Sequence, residues 1–500
     1  MKKLITFFVF MLSFVGISQN IGLDTSFGNN GVFFNTSIVT LPKAIFYENN
    51  KYIFLFNDGL SSINYNGTND TSFGTNGKLF FNNSTETFLT KGAKIYNGFV
   101  YIFGQVSSNA NSTNKNIFIA KISTSGVFDT TFGQNGLVKL DLGTNNEIIN
   151  DIVINTDGKL LTIGNKDNLI FVTKIDTNGI LDVSFNNVGF KSFPLNAGEI
   201  SIGASIYNYL GNYILVGSTT QALKHLVFLN IDATGNLIST YGTNGIKTVT
   251  LSSPGETGGY SIVNSKIISD NIYIVYYFSW SFNNQYNRLV KYNLASDVYT
   301  TLNYVPLFSF DYTFDSDENI YTTGINRCSP ATSSNCNRNY SITKLLPTGV
   351  LDTSFSSTGN YEYNFFPGDL ISDDQSSILY QHSDGKKVVA GYIFNPYSPL
   401  GTGTTGFSVI RVMNSALSST NFDIDSAFSL SPNPAEKELN ISIKQDINIS
   451  KIDIIDINGR AFISQNSDFE KVNVENLQQG IYFLKISYDD KNEILKFLKK

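Results

Sequence analysis

The chain has 500 residues, a formal net charge of −6 and only 15% charged residues. This low, mildly acidic charge argues against a nucleic-acid partner, which requires a basic patch or stripe. Forty Phe, 27 Tyr and 40 Gly against three Met favour strands and tight turns over helices.

Residues 1–18 read as an export signal. Lys2 and Lys3 form the basic start, LITFFVFMLSFVG the apolar core, and Gly16 and Ser18 the small residues before a cut ahead of Gln19. The alternative, an uncleaved anchor, would need a longer apolar run. No later stretch is long and apolar enough for a span, so no transmembrane segment is expected after signal cleavage.

Next comes LDTSFGNNG, Leu23 to Gly31. It recurs as NDTSFGTNG, FDTTFGQNG, LDVSFNNVG, LISTYGTNG and LDTSFSSTG, at intervals of about 50 to 60 residues. Its Asp, aromatic and glycines fall at Asp24, Phe27, Gly28 and Gly31; Asp70, Phe73, Gly74 and Gly77; and Asp129, Phe132, Gly133 and Gly136. They thin to Asp182 and Phe185, Tyr241, and Asp352 and Phe355. The glycines suit positive φ, and the Asp suits hydrogen bonding back to turn amides. The aromatic suits burial against an adjoining unit. The motif therefore reads as a structural connector. A ligand site would require the polar atoms of several copies to converge.

Between connectors the chain repeats one plan. After FDTTFGQNG come LVKLDL, DIVI, an NTDG turn, KLLTIG and LIFVTKID, the last ended by Asn178-Gly179. That is four short strands joined by turns rich in Asn, Asp and Gly. Seven such blocks fit between about residues 23 and 420, with the connector nearly erased near LASDVYTTLNY and after the last block. Four-stranded modules without helices point to an all-β chain, a seven-bladed β-propeller over residues 19–420. An open solenoid is the alternative, but it would need atypical capping repeats at its ends.

Chemistry is sparse along this stretch. His225 begins a strand and His382 lies in the QHSDGKK hairpin; both read as strand-end histidines. Cys328 and Cys336, in NRCSPATSSNCNRN, suit a disulfide in an exported chain. Asp315 to Asn319 (DSDEN) could offer calcium some of its oxygen ligands, although the cluster stands where other repeats place a hairpin turn. No other cofactor is expected. Trp280, in YYFSWSFNNQYNR, suits either sheet packing or stacking against sugar. A binding module for carbohydrate or protein is therefore favoured over a hydrolase or lyase acting on polysaccharide or protein, and no catalytic residue is assigned.

Composition shifts near residue 421. Residues 421–430 read as a linker, and 431–500 as a small antiparallel β-sandwich of alternating strands. SPNPAEKELNISI, IIDINGR and LQQGIYFLKI lie there in order. This trio resembles a type A sorting domain of the type IX secretion system of Bacteroidetes, with Pro432, Asn433, Pro434, Gly459, Gly480 and Tyr482 at signature positions. The resemblance implies the type IX machinery as a partner and passage through the periplasm to the outer surface or the medium. The connector, followed by a DGK-type turn and KID-x-x-G, resembles the delta-60 repeat of bacterial propeller-like proteins. That resemblance implies a fold and no common reaction. Asn186 and Ser356 stand where it has glycine and Ile238 where it has Asp, so altered turns are expected there.

Overall fold

The computed structural model describes residues 21–143, 147–195, 199–219, 225–250, 260–281, 284–302, 308–325, 338–366, 373–395, 404–414, 428–443, 447–456, 460–488 and 491–500. The export signal, Cys328, Cys336 and Gly459 lie outside them, as does the side chain of Trp280. The described residues are all-β, without a helix, so they contain no helix long and apolar enough to cross a membrane. The chain divides into two units, residues 1–415 and 416–500.

In the first unit the described strands form seven antiparallel sheets. Six are four-stranded meanders, in which each strand pairs with the next in sequence. They run from Ala44–Glu48 to Lys78–Phe80, Glu86–Tyr96 to Leu137–Leu140, Ile148–Ile154 to Phe190–Phe193, Ser201–Tyr209 to Ile246–Thr250, Tyr260–Ile268 to Val298–Thr301, and Phe308–Phe314 to Asn360–Tyr363. The seventh holds Gln375–Gln381, Lys387–Asn395 and Thr404–Asn414. Its outer edge is supplied by the start of the chain, where Ile21–Leu23 and Val32–Asn35 both pair with Thr404–Asn414.

This pairing shifts the phase of the repeat. The short strand after each connector closes the sheet before it: Leu137–Leu140 pairs with Asn111–Ser123. The connector at Leu23 to Gly31 accordingly belongs to the seventh sheet, which therefore has its connector at the opposite end of the sequence. The first strand of each sheet touches the sheet that follows, and Gln375–Gln381 touches Ala44–Glu48.

The apolar cores lie between sheets. One joins Tyr101, Ile117 and Ile119 of the second sheet to Ile152, Leu160 and Phe171 of the third, with Phe132 among them. Alternating side chains feed both faces of every sheet, so the middle strands read as almost unbroken apolar runs. Tyr52 to Leu55 and Leu160 to Ile163 are each wholly buried.

The second unit has a three-stranded sheet (Phe428–Ser431, Glu438–Ile443, Lys471–Asn473) and a four-stranded sheet (Ala461–Gln465, Ile449–Ile455, Gly480–Tyr488, Lys491–Lys499). One core joins Leu439, Ile441 and Val472 of the first to Ile452, Leu484 and Phe497 of the second.

Candidate binding site

The connector residues clasp neighbouring sheets. In the five copies that carry the Asp, its carboxylate accepts from the hydroxyl and amide two residues on, as Asp129 does from Thr131 at 2.6 and 3.1 Å. Its other oxygen meets a cation: Lys121 on Asp129 at 2.7 Å, Lys159 on Asp182 at 2.8 Å, Lys344 on Asp352 at 2.8 Å, Lys51 on Asp70 at 2.7 Å and Arg411 on Asp24 at 2.8 Å. The lysine hydrogen bond holds Asp129 down to about 2, and the same cause acts on Asp182. Phe27, Phe73, Phe132, Phe185 and Phe355 are all buried to within 1%.

The residue after four of these aromatics reaches the next sheet. The amides of Gly28, Gly74, Gly133 and Asn186 donate to the carbonyls of Asn66, Ser125, Asn178 and Thr234. A Cβ on Gly179 would stand 2.8 Å from the Gly133 nitrogen, so this close approach requires glycine. Asn186 and Ser356 keep the motif's positive φ, at 52° and 51°, beside 57° at Gly133. The turn that follows is altered in both, as expected: Asn187 and Ser357 also take positive φ, at 60° and 62°, where the regular copies reserve it for the next residue, as at Asn135 (54°). The Val188 and Thr358 amides donate to the Phe185 and Phe355 carbonyls in place of the paired bonds between Gln134 and Leu137, whereas the Ile238 copy keeps the regular turn through Thr243 and Ile246. The copies stand one to a sheet, and their carboxylates are engaged locally.

Side chains do converge elsewhere. A cavity of about 610 Å³ is lined by the first strands, or the residues flanking them, of all seven sheets. Six of these strands carry a β-bulge at the same place, between Thr90 and Gly92, Ile149 and Asp151, Gly203 and Ser205, Ile262 and Asn264, Ser309 and Asp311, and Ser376 and Ile378. A bulge adds a residue and re-aims a side chain. Here it turns Lys91, Asn150, Ala204, Val263 and Ser377 to the cavity, and Lys43 takes the corresponding place in the first sheet. Each bulge needs room on the neighbouring strand. A Cβ on Gly164 would stand 1.7 Å from the Ile148 carbonyl oxygen, and Gly104, Gly217 and Gly391 occupy equivalent places.

The residue after the bulge is acidic twice, and both carboxylates are engaged. Asp151 holds Lys94 of the preceding sheet at 3.0 Å and the Ile206 amide of the following sheet at 3.2 Å. Asp311 holds Lys266 at 3.0 Å, the Asn264 amide group at 2.9 Å and the Leu379 amide at 3.1 Å. Asn150 donates to the Gly203 carbonyl at 2.7 Å and Ser377 to the Pro42 carbonyl at 2.7 Å.

His382, His225 and the Asp315 to Asn319 turn do not line this cavity. His382 is 9% exposed between the seventh and first sheets. Its Nε2 is 2.6 Å from the Tyr52 hydroxyl, and the rings of Tyr47, Tyr65 and Tyr380 surround it. Arg411 donates to the Tyr52 oxygen at 3.4 Å, which leaves the Tyr52 proton for Nε2. Burial lowers the pKa of His382 and raises that of Tyr52. His225 Nδ1 lies 3.2 Å from the Thr250 hydroxyl. Asp315 accepts from the amides of Asp317 and Asn319 and from the Asn319 side chain, at 2.9 to 3.0 Å, as a turn residue does. Among the described residues no group of three or more His, Cys, Asp or Glu could hold a metal ion.

In the second unit Pro432, Asn433 and Pro434 are exposed, and both X–Pro bonds are cis. Asn433 accepts from the Leu498 amide at 2.9 Å, and Ala435 donates to the Leu498 carbonyl at 2.7 Å. The turn is thereby strapped to the last strand. Gly480 opens the strand that carries Tyr482, which stacks on Phe497 with ring centroids 5.9 Å apart.

Residues 429–500 match the family model described as a secretion system C-terminal sorting domain. This is a type IX sorting domain. It directs the chain to the cell surface or outside and makes the type IX machinery its partner. No curated protein matches the sequence. Among solved structures, the chain is similar to the Pan2 WD40 domain of Neurospora crassa, at 10% identity over 74% of this chain and 89% of that one, with a TM-score of 0.40. It is also similar to a neuraminidase-like protein of a little yellow-shouldered bat isolate (11% identity, 65% and 95% covered, TM-score 0.34). A third is PorZ, a surface component of the type IX secretion system of Porphyromonas gingivalis (9% identity, 94% and 100% covered, TM-score 0.17). At these scores none of them assigns an activity to this chain.

Proposed function

We propose that this protein is a secreted or cell-surface binding module whose first unit is a closed seven-bladed propeller of delta-60-like repeats, with its ligand site in the central cavity. The observation that carries this reading is the cavity itself, lined from all seven sheets and of a volume suited to a small ligand or one group of a larger one. Closure is supported by the N-terminal strands on the seventh sheet and by the contact between Gln375–Gln381 and Ala44–Glu48. Binding is favoured over catalysis because Asp151 and Asp311, the cavity's carboxylates nearest the bulges, are each engaged by a lysine and a backbone amide. A general base would have to be free to take a proton.

The test is a glycan and peptide binding screen on the mature chain from residue 19, with reaction products followed in the same samples. Saturable binding without turnover is expected. Product release from any of these polymers would replace the binding module by a hydrolase or lyase.

A further inference from the structure

The bulge residues around the cavity are unequal. Lys43 and Lys91 stand on the first and second sheets, Asn150 on the third, Ala204 and Val263 on the fourth and fifth, and Ser377 on the seventh. Lys94 and Lys266 are neutralised by Asp151 and Asp311. Among the described residues neither Lys43 nor Lys91 has a carboxylate within ion-pair distance. Lys43 donates to the Thr90 carbonyl at 2.5 Å, and both side chains are open to the cavity. In a protein of net charge −6, this places two uncompensated cations on one arc of the cavity. On the other arc Ile202 and Val263 are 37% and 42% exposed, and apolar side chains open to a cavity mark a surface that a ligand can cover.

We infer that the cavity binds an organic carboxylate with an apolar body, its head between Lys43 and Lys91 and its body against Ile202 and Val263. This rests on the binding reading of the cavity and names the chemistry of the group received there. Two ammonium groups suit a carboxylate through charge-assisted hydrogen bonds. The apolar arc excludes a purely hydrophilic anion from the better part of the interaction.

A proton linkage supports the assignment. Burial and then the neighbouring Lys91 push the Lys43 pKa down to about 8. The charged groups facing Lys43 are Lys91 and the two neutralised pairs, while the adjoining seventh-sheet strand contributes Tyr380. A bound carboxylate offsets the repulsion from Lys91 and restores the proton. Binding should therefore take up protons near pH 8, and affinity should fall about 10-fold between pH 7 and 9 as Lys43 loses its charge.

The test is calorimetric titration of the mature chain with octanoate, acetate, octylamine and inorganic phosphate. Octanoate should bind with proton uptake near pH 8, acetate and phosphate at least about 10-fold more weakly, and octylamine not at all. K43M/K91M should lose about 10-fold or more in octanoate affinity while melting no lower than the parent, since it removes a like-charge pair. K91E, which sets a carboxylate where the ligand's head would lie and pairs Lys43 with it, should also lose octanoate affinity. Absence of saturable octanoate binding, or affinity unchanged in K43M/K91M, would overturn the inference. A polymer hit that is insensitive to both lysines would overturn it while leaving the cavity reading in place; no ligand in either experiment would remove both.

Discussion

Replacing Phe132 by Ala tests how the sheets are held together. The ring is 1% exposed. It packs between side chains of the second and third sheets and meets Tyr101 edge-on with centroids 6.0 Å apart. Truncation removes the transfer contribution of the ring and leaves a cavity that two sheets, each pinned by its own strand pairing, can only partly collapse. The expected cost is about 3–4 kcal/mol. For a unit of about 400 residues the unfolding entropy is about 0.8 kcal/mol per kelvin, so the midpoint should fall by about 4 °C. Trp280 is the single tryptophan and lies on Asn271–Ser281 of the first unit, so its fluorescence follows that unit alone. Val127→Ala, at a side chain 62% exposed just ahead of the same connector, should stay within about 0.5 kcal/mol of the parent. Equal midpoints for Phe132→Ala and Val127→Ala would refute the reasoning.

Ser356 holds a φ of 51° that glycine adopts without a Cβ clash, so Ser356→Gly should stabilise the first unit by about 0.5–1 kcal/mol in thermal melts. Gly164→Ala would drive a Cβ into the Ile148 carbonyl and should cost about 3 kcal/mol, read from urea midpoints. His382 should make the first unit sensitive to acid. Its buried ring stays neutral beside Tyr52, with Asp384 favouring the charge and Arg411 and Lys386 opposing it. The unfolded chain takes up the proton near pH 6.5, so it binds more protons there and stability falls as pH drops below about 6.5. His382→Gln should flatten that limb of a stability profile measured from pH 7.5 to 5.

The sequence made the strands and their turns legible because glycine and asparagine mark positive φ, and because the middle strands are apolar throughout. The phase of the repeat was not legible. Whether LVKL joins the sheet before or after its connector depends on pairing with Asn111–Ser123. The corresponding choice at the chain start depends on a partner as remote as Arg411 is from Asp24, 387 residues away. The cavity was hidden for a related reason. Its bulge residues share a position and not a chemistry, running from Lys91 to Ala204 to Val263. A usable signal existed in the glycine within the second strand of most sheets, thirteen or fourteen residues after the bulge in Lys91/Gly104 and Asn150/Gly164. Its meaning required knowing that a carbonyl would lie against it. The sorting domain was legible because its signature is local: Pro432, Asn433 and Pro434 are consecutive, and the clasp they make on Leu498 forms within one small unit.

Ligand entry into the cavity lined by the seven first strands can be blocked directly. Ala204→Trp combined with Val263→Trp fills that cavity from the fourth and fifth sheets without touching a connector or an ion pair. Titrated beside the parent with octanoate and with any hit from the polymer screen, the double variant should keep the parent's melting midpoint within a degree or two and lose binding. Undiminished affinity in a folded double variant would show that ligands bind elsewhere.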